Sequence, residues 1–254
     1  VNQGQGPQFQ MVVPFTKAVK ALVIINVVAW VGLVLLPGVF LHTSLPLELF
    51  GLVPQKVFSD FWIWQLFTYM FLHASGVFHI LFNMLILWWF GAELEARWGS
   101  RFFVTYYLVC GVGAGVVYLL GTTLYAYITG NVAGMMTPLV GASGAGYGLL
   151  LAYGLLFGER IIYFMMLFPM KAKWFTVIIG GVELVTMMDA GSGTQVANLA
   201  HLGGLLVGFV YLNLVARYRN KQRTGASKRG RRLKLVVDNE RDSKPSDQDP
   251  KYWN

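Results

Sequence analysis

Six apolar segments, at about residues 18–41, 77–92, 102–128, 141–157, 174–188 and 196–216, recur along this chain. A helix needs about 20 mostly apolar residues to cross a bilayer core, and fewer where the bilayer thins. This pattern constrains the fold more than any other feature. In lipid every backbone N–H and C=O must be bonded internally, which leaves helices as the solution for single apolar segments of this kind. Composition points the same way: 56% of the 254 residues are hydrophobic and only 13% are charged, too few for an ordinary soluble domain. The pattern predicts an all-α membrane protein with six transmembrane helices. The long connection 42–75, rich in Trp, Phe, Leu and Pro, reads as an interfacial structure and not a seventh span. The stretch "ERIIYFMMLFPMKAKW" between spans four and five is short, broken by Pro169 and bounded by charges, and reads as a surface-lying loop.

Basic residues set the orientation. With a cytoplasmic N-terminus, nineteen of the twenty Lys and Arg fall on the cytoplasmic side and only Lys56 lies opposite. Both termini are therefore expected in the cytoplasm. The net charge of +8 comes mostly from the stretch between Arg217 and Lys234, beyond the last span. Basic flanks are normal beside membrane helices, so the tail reads as lipid-facing and no nucleic-acid partner is expected. The single cysteine, Cys110, lies in an apolar run and permits neither a disulfide framework nor a cysteine metal site within one chain. The opening "VNQGQGPQFQMVVP" lacks the basic start and small-residue cleavage site of a signal peptide. The expected organisation is a lead-in at 1–16, a membrane core at 17–217 and a basic, disordered tail at 218–254.

Polar side chains inside spans are costly, so each is a functional candidate. His79 and Asn83, four apart in "FHILFNM", share one face of span two. Ser143 opens span four with Tyr147 one turn on, and Asn198 and His201 lie near the start of span six. Spans two, four and six run in the same direction, which places His79, Ser143 and His201 at similar depth near the outer surface. Glycines let them meet: Gly144 and Gly148 are four apart, and Gly204 and Gly208 follow His201 along one stripe. Close helix approach is what a Ser–His hydrogen bond of about 2.6–3.2 Å requires.

A neutral imidazole is the usual base for a serine hydroxyl. The Ser143 amide, the Asn83 side chain and the His79 ring are available oxyanion donors. No acid stands beside His201 in sequence, so the simpler inference is a Ser–His dyad. Other readings of the same residues remain. Ser143 also fits packing glue, and His79 with His201 also fits a metal pair, although no third ligand is evident. Glu183 in span five suits a proton relay or ion site, hence a transporter, but no internal repeat accompanies it.

Four motifs in order resemble the rhomboid family of intramembrane serine proteases: "FLHASGVFHILFNM" at 71–84, "GAELEARWG" at 91–99, "GASG" at 141–144 and "AHLGGLLVG" at 200–208. The resemblance implies a six-transmembrane-helix rhomboid bundle with a membrane-embedded first loop at 42–75. It implies Ser143 as nucleophile and His201 as general base, with His79, Asn83 and the Ser143 amide as oxyanion donors and Gly141 lending backbone to that region. Tyr147 would pack on the base histidine, supported by Asn198. Glu95 and Arg97 would form a structural Glu-x-Arg motif tying the first loop to the helices. The implied activity is that of a serine endopeptidase of the bacterial inner membrane, cutting single-span membrane proteins near the outer end of their helix, with no cofactor and no metal. A catalytically silent rhomboid-like protein that binds membrane clients is the alternative. No oligomeric state follows from the sequence. Two departures stand out: Gln65 occupies the place of an arginine in well-known members, and one extra residue separates His73 from His79.

Overall fold

The computed structural model describes residues 14–164, 168–188 and 195–228. Helix α1 (Lys17–Trp30) passes through a π-turn (Val31–Leu35) into α2 (Leu36–Phe40). The three together make one continuous apolar helix of 24 residues. Three short helices follow, α3 (Leu45–Phe50), α4 (Pro54–Ser59) and α5 (Gln65–Thr68), and then a 3-10 turn at Tyr69–Phe71. Prolines at the first turns of α3 and α4 preset the backbone where an amide partner would be missing anyway. Then come α6 (Val77–Trp98), α7 (Ser100–Thr129), α8 (Ala133–Met136), α9 (Ser143–Leu156), a hairpin of β1 (Ile161–Phe164) and β2 (Phe168–Lys171), α10 (Ala172–Met188) and α11 (Gln195–Lys228).

Four of these helices are long and apolar enough to cross a membrane: Lys17–Phe40, Val77–Trp98, Ser100–Thr129 and Asn198–Gln222. Helix α9 is apolar but has only 14 residues. The exterior is apolar in the manner of a lipid-facing surface: Phe61 is 77% exposed, Phe40 73% and Phe78 71%. A water-soluble fold does not leave so many large apolar side chains outside.

The interior is held by tyrosines. Tyr69, Tyr106, Tyr107, Tyr118 and Tyr153 are all buried. Several of their hydroxyls donate to main-chain carbonyls: Tyr69 to Gly111 at 2.6 Å, Tyr106 to Gly148 at 2.7 Å and Tyr118 to Thr137 at 3.0 Å. In these three the ring buries a large apolar area while its one polar atom bonds to an adjacent segment. Helix α7 thus acts as a central post that fastens the 42–75 region on one flank and α9 on another.

The 42–75 region is organised by a residue whose effect the sequence left open. Gln65 is fully buried. Its Oε1 accepts from the Val53 amide at 3.0 Å, and its Nε2 donates to the Glu48 carbonyl at 2.8 Å. A neutral amide supplies both a donor and an acceptor, so it joins backbone groups of opposite polarity without burying a charge. Reciprocal backbone bonds of 2.9 Å between Leu52 and Leu139 then tie this region to the segment leading into α9.

Three expectations change. The all-α fold carries one antiparallel hairpin, with Ile161 opposite Lys171 and Phe164 opposite Phe168, where a plain surface loop was expected. Ile161, Ile162, Tyr163 and Phe164 of β1 and Phe168 of β2 are residue types that favour paired strands over an irregular loop. Helix α11 runs to Lys228, into the tail at 218–254 that was expected to be disordered. Finally, Glu95 binds the start of α1 and not the 42–75 region. It accepts from the amides of Ala18 and Val19 at 2.9 Å, from Ser100 Oγ at 2.6 Å and from Thr16 Oγ1. A carboxylate at a helix N-terminus satisfies orphan amides and complements the helix dipole. Arg97 instead lies over the Phe157 ring, 5.8 Å from its centroid. The lead-in at 1–13 and the tail beyond 228 lie outside the described residues.

Candidate active site

The structure brings Ser143 and His201 together, with Ser143 Oγ 2.8 Å from His201 Nε2. Ser143 is the first residue of α9, so its own amide has no partner inside the helix. Backbone proximity explains how two helices supply so short a side-chain bond. A Cβ added at Gly204 of α11 would overlap the Gly144 carbonyl of α9. One added at Gly148 would meet Cys110 Sγ at 2.5 Å, and one at Gly208 would lie 3.4 Å from the Gly148 Cα. The small-residue stripes on the two helices therefore face each other and allow close contact.

Tyr147, one turn below the serine, stacks on the imidazole of His201 with centroids 4.3 Å apart and planes 10° from parallel. The stack limits ring tilt and keeps Nε2 toward the hydroxyl.

His79 approaches from α6. The Ala74 amide donates to its Nδ1 at 3.1 Å, which makes Nε2 the protonated nitrogen of a neutral ring. That N–H faces Gly141: a Cβ built there would lie 3.0 Å from His79 Nε2 and 3.7 Å from Ser143 Oγ. Gly141 has φ +125°, a conformation that side chains rarely adopt, and its amide donates to the Tyr69 carbonyl at 3.0 Å. The glycine therefore keeps open the space between the His79 N–H and the serine. Asn83 is buried on the same helix, and its amide nitrogen donates to the His79 carbonyl at 2.7 Å. That bond uses one of its two N–H groups. His73 is also fully buried and meets His79 edge-on at 5.3 Å.

No acid stands beside His201 along the chain. The structure places Glu183 of α10 behind the ring, with Oε2 3.0 Å from His201 Nδ1. The carboxylate sits off the axis of the ring N–H, within ion-pair range but short of straight hydrogen-bond geometry. Tyr147 donates its hydroxyl to the same carboxylate. Asn198 completes the surround: the amide orientation that satisfies its neighbours puts its nitrogen 3.0 Å from Glu183 Oε2 and its oxygen 2.7 Å from Thr186 Oγ1. Among the described residues no group of three or more His, Cys, Asp or Glu side chains forms that could hold a metal ion.

These features define a polytopic membrane protein with a hydrogen-bonded serine and histidine between closely packed helices. The Rhomboid domain profile matches residues 60–218, and the chain belongs to the rhomboid family, which includes intramembrane serine proteases. It is 33% identical over 176 residues to RHOMBOID-like protein 1 of Arabidopsis thaliana, covering 67% of this chain and 40% of that protein. It is 30% identical over 167 residues to Rhomboid protease GluP of Bacillus subtilis (strain 168), covering 63% of this chain and 27% of that protein. With Rhomboid-like protease 3 of Toxoplasma gondii it shares 29% identity over 167 residues, covering 64% of this chain and 55% of that protein. The chain thus spans at most about half the length of these relatives, which come from plant, bacterial and parasite sources.

Proposed function

We propose that this protein is an intramembrane serine endopeptidase that cuts single-span membrane proteins near the outer end of their transmembrane helix. Ser143 is the nucleophile and His201 the general base. The observation that carries this reading is the 2.8 Å contact between Ser143 Oγ and His201 Nε2 inside an apolar bundle. The His79 N–H and the free Ser143 amide supply donors for the oxyanion, with the second Asn83 N–H in reserve.

The chemistry follows from these positions. As Ser143 Oγ bonds to the scissile carbonyl carbon, its proton passes to His201 Nε2 and the carbonyl π electrons move onto oxygen. The oxyanion collapses, the C–N bond breaks, and Nε2–H returns the proton to the departing amine. Water, activated by the same imidazole, then cleaves the acyl ester and restores the serine.

With α9 and α10 added to the four longer helices, the bundle has six spans over a 17–217 core, and the 42–75 region is its embedded first loop. Fourteen residues of α9 rise only about 21 Å, less than the hydrocarbon core of about 30 Å. Ser143 therefore begins its helix below the surface, at a depth water can reach through the non-helical segment before it. The distribution of Lys and Arg supports cytoplasmic termini and an outward-facing site. A substrate helix hides its carbonyls in internal bonds, so sequences that weaken helices, such as those with Gly or Pro, are favoured at the cut.

The test is cleavage of a single-span substrate in liposomes by wild type, Ser143→Ala and His201→Ala, with products read by mass spectrometry. Cleavage by wild type alone is expected. Retained cleavage in Ser143→Ala would sink the nucleophile assignment. A folded wild type that binds the substrate and leaves it intact would favour the silent, client-binding alternative.

A further inference from the structure

We propose that Glu183 is a third, positioning member of the site, which orients the His201 ring and offsets the positive charge that ring acquires during each proton transfer. The inference rests on the proteolytic reading above.

Glu183 is the sole ionisable residue between Trp174 and Met188 in an otherwise apolar helix. A carboxylate there is costly unless it is turned inward and paired. It is turned inward, with its side chain 12% exposed, and it faces a His201 side chain that is 19% exposed. Its three neighbours can all donate: His201 Nδ1, the Tyr147 hydroxyl and the Asn198 amide. One of the three, His201, is bonded to Ser143, and a second, Tyr147, stacks on the His201 ring.

Around His201 and its carboxylate neighbour stand Ser143 and Tyr147 of α9, Asn198 of the histidine's own helix, His79 of α6 and Glu183 of α10. His79 accepts from Ala74 and is a neutral ring. Glu183 alone among them brings a full negative charge.

The chemical consequence is a choice of tautomer. His201 can accept the serine proton only if Nε2 is bare and its own proton sits on Nδ1. A carboxylate 3.0 Å from Nδ1 favours that form. When the Ser143 O–H bond breaks and Nε2 takes the proton, the ring becomes an imidazolium with both N–H bonds intact. Glu183 receives no proton and stays anionic, acting on the ring by charge alone.

The experiment compares wild type, Glu183→Gln and Glu183→Asp, each full-length in liposomes with the same single-span substrate, with kcat, KM and thermal unfolding measured. Gln keeps the shape and removes the charge, whereas Asp keeps the charge and shortens the arm. A positioning carboxylate predicts that kcat falls about 100-fold in Glu183→Gln while KM stays within about twofold. Glu183→Asp then recovers at least about tenfold over Gln, although its contacts are poorer. A packing role predicts the reverse order. Cleavage by Glu183→Gln within about twofold of wild type, or Gln outperforming Asp, overturns the inference. If Glu183→Gln does not fold, a folded Glu183→Asp with less than about one-hundredth of wild-type kcat overturns it equally. A wild type that neither cleaves nor reacts at Ser143 with a fluorophosphonate removes the proteolytic reading itself, and the inference with it.

Discussion

Glu95, near the end of α6, and Glu183, in α10, are both carboxylates set in apolar helices, but they are held by different kinds of partner. Glu95 is 4% exposed and takes its bonds from two backbone amides and two hydroxyls, none of which changes charge near neutrality. Those partners belong to the start of α1 and the start of α7, so the carboxylate joins helix ends. Glu183 takes its contacts from three side chains, one of them the histidine bonded to Ser143. A carboxylate saturated by fixed backbone donors stabilises a fold, while one facing a titratable ring can respond to proton transfer. Location inside a membrane helix does not separate the two roles, but the identity of the donors does.

Amide substitution at each position is the sharpest way to break this contrast. The largest effect on turnover belongs to Glu183→Gln, which should slow cleavage about 100-fold with little change in the thermal midpoint. In Glu95→Gln the effects exchange places. Stability should fall by about 2–4 kcal/mol, because two amides and two hydroxyls lose a charged acceptor, while kcat per folded molecule holds. Denaturation in detergent micelles and active-site titration separate the two quantities, and equal loss of kcat in both variants would erase the distinction.

A smaller effect is expected at Gln65, whose amide serves backbone as Glu95 does but without charge. Gln65→Leu leaves the Val53 amide and the Glu48 carbonyl without their partner, at a cost of about 1–3 kcal/mol. Limited proteolysis should show the 42–75 region cut faster, with the rest of the chain protected; an unchanged pattern would mean that the tie to Leu139 suffices.

The smallest effect belongs to Glu159 in the loop after α9, an exposed carboxylate bonded to Lys171 at 2.7 Å and to Lys173. Those hydrogen bonds, Lys171 first, hold its pKa down at about 2. A lowered carboxylate pKa contributes stability above its ordinary value, and that contribution is lost as pH falls toward about 2. Exposure keeps it slight. Glu159→Gln should lower the thermal midpoint at pH 7 only slightly, with the difference from wild type vanishing as pH falls toward about 2, and should leave the cleavage rate unchanged. A changed cleavage rate would connect this loop to the site.

Much of the site was legible because its signals are local. Ser143 with Tyr147, His79 with Asn83, and His201 with its glycines each stand on one helix at fixed spacing. What brings Glu183 to His201 has no such local trace. Helix α10 is apolar on nearly every face, so periodicity cannot say which side meets α9 or α11. The same holds for Gln65, whose partners lie 12 to 17 residues away along a loop without repeat, and for Glu95, whose partners at the start of α1 are 76 to 79 residues distant.

By itself, then, the amino-acid sequence determined the long apolar helices and the serine and histidine that meet, since hydrophobic length and glycine spacing act within a single segment. Tertiary structure alone decided which carboxylate serves the fold and which faces His201. Those choices depend on how each helix is rotated against its neighbours, and that rotation comes from packing among distant segments.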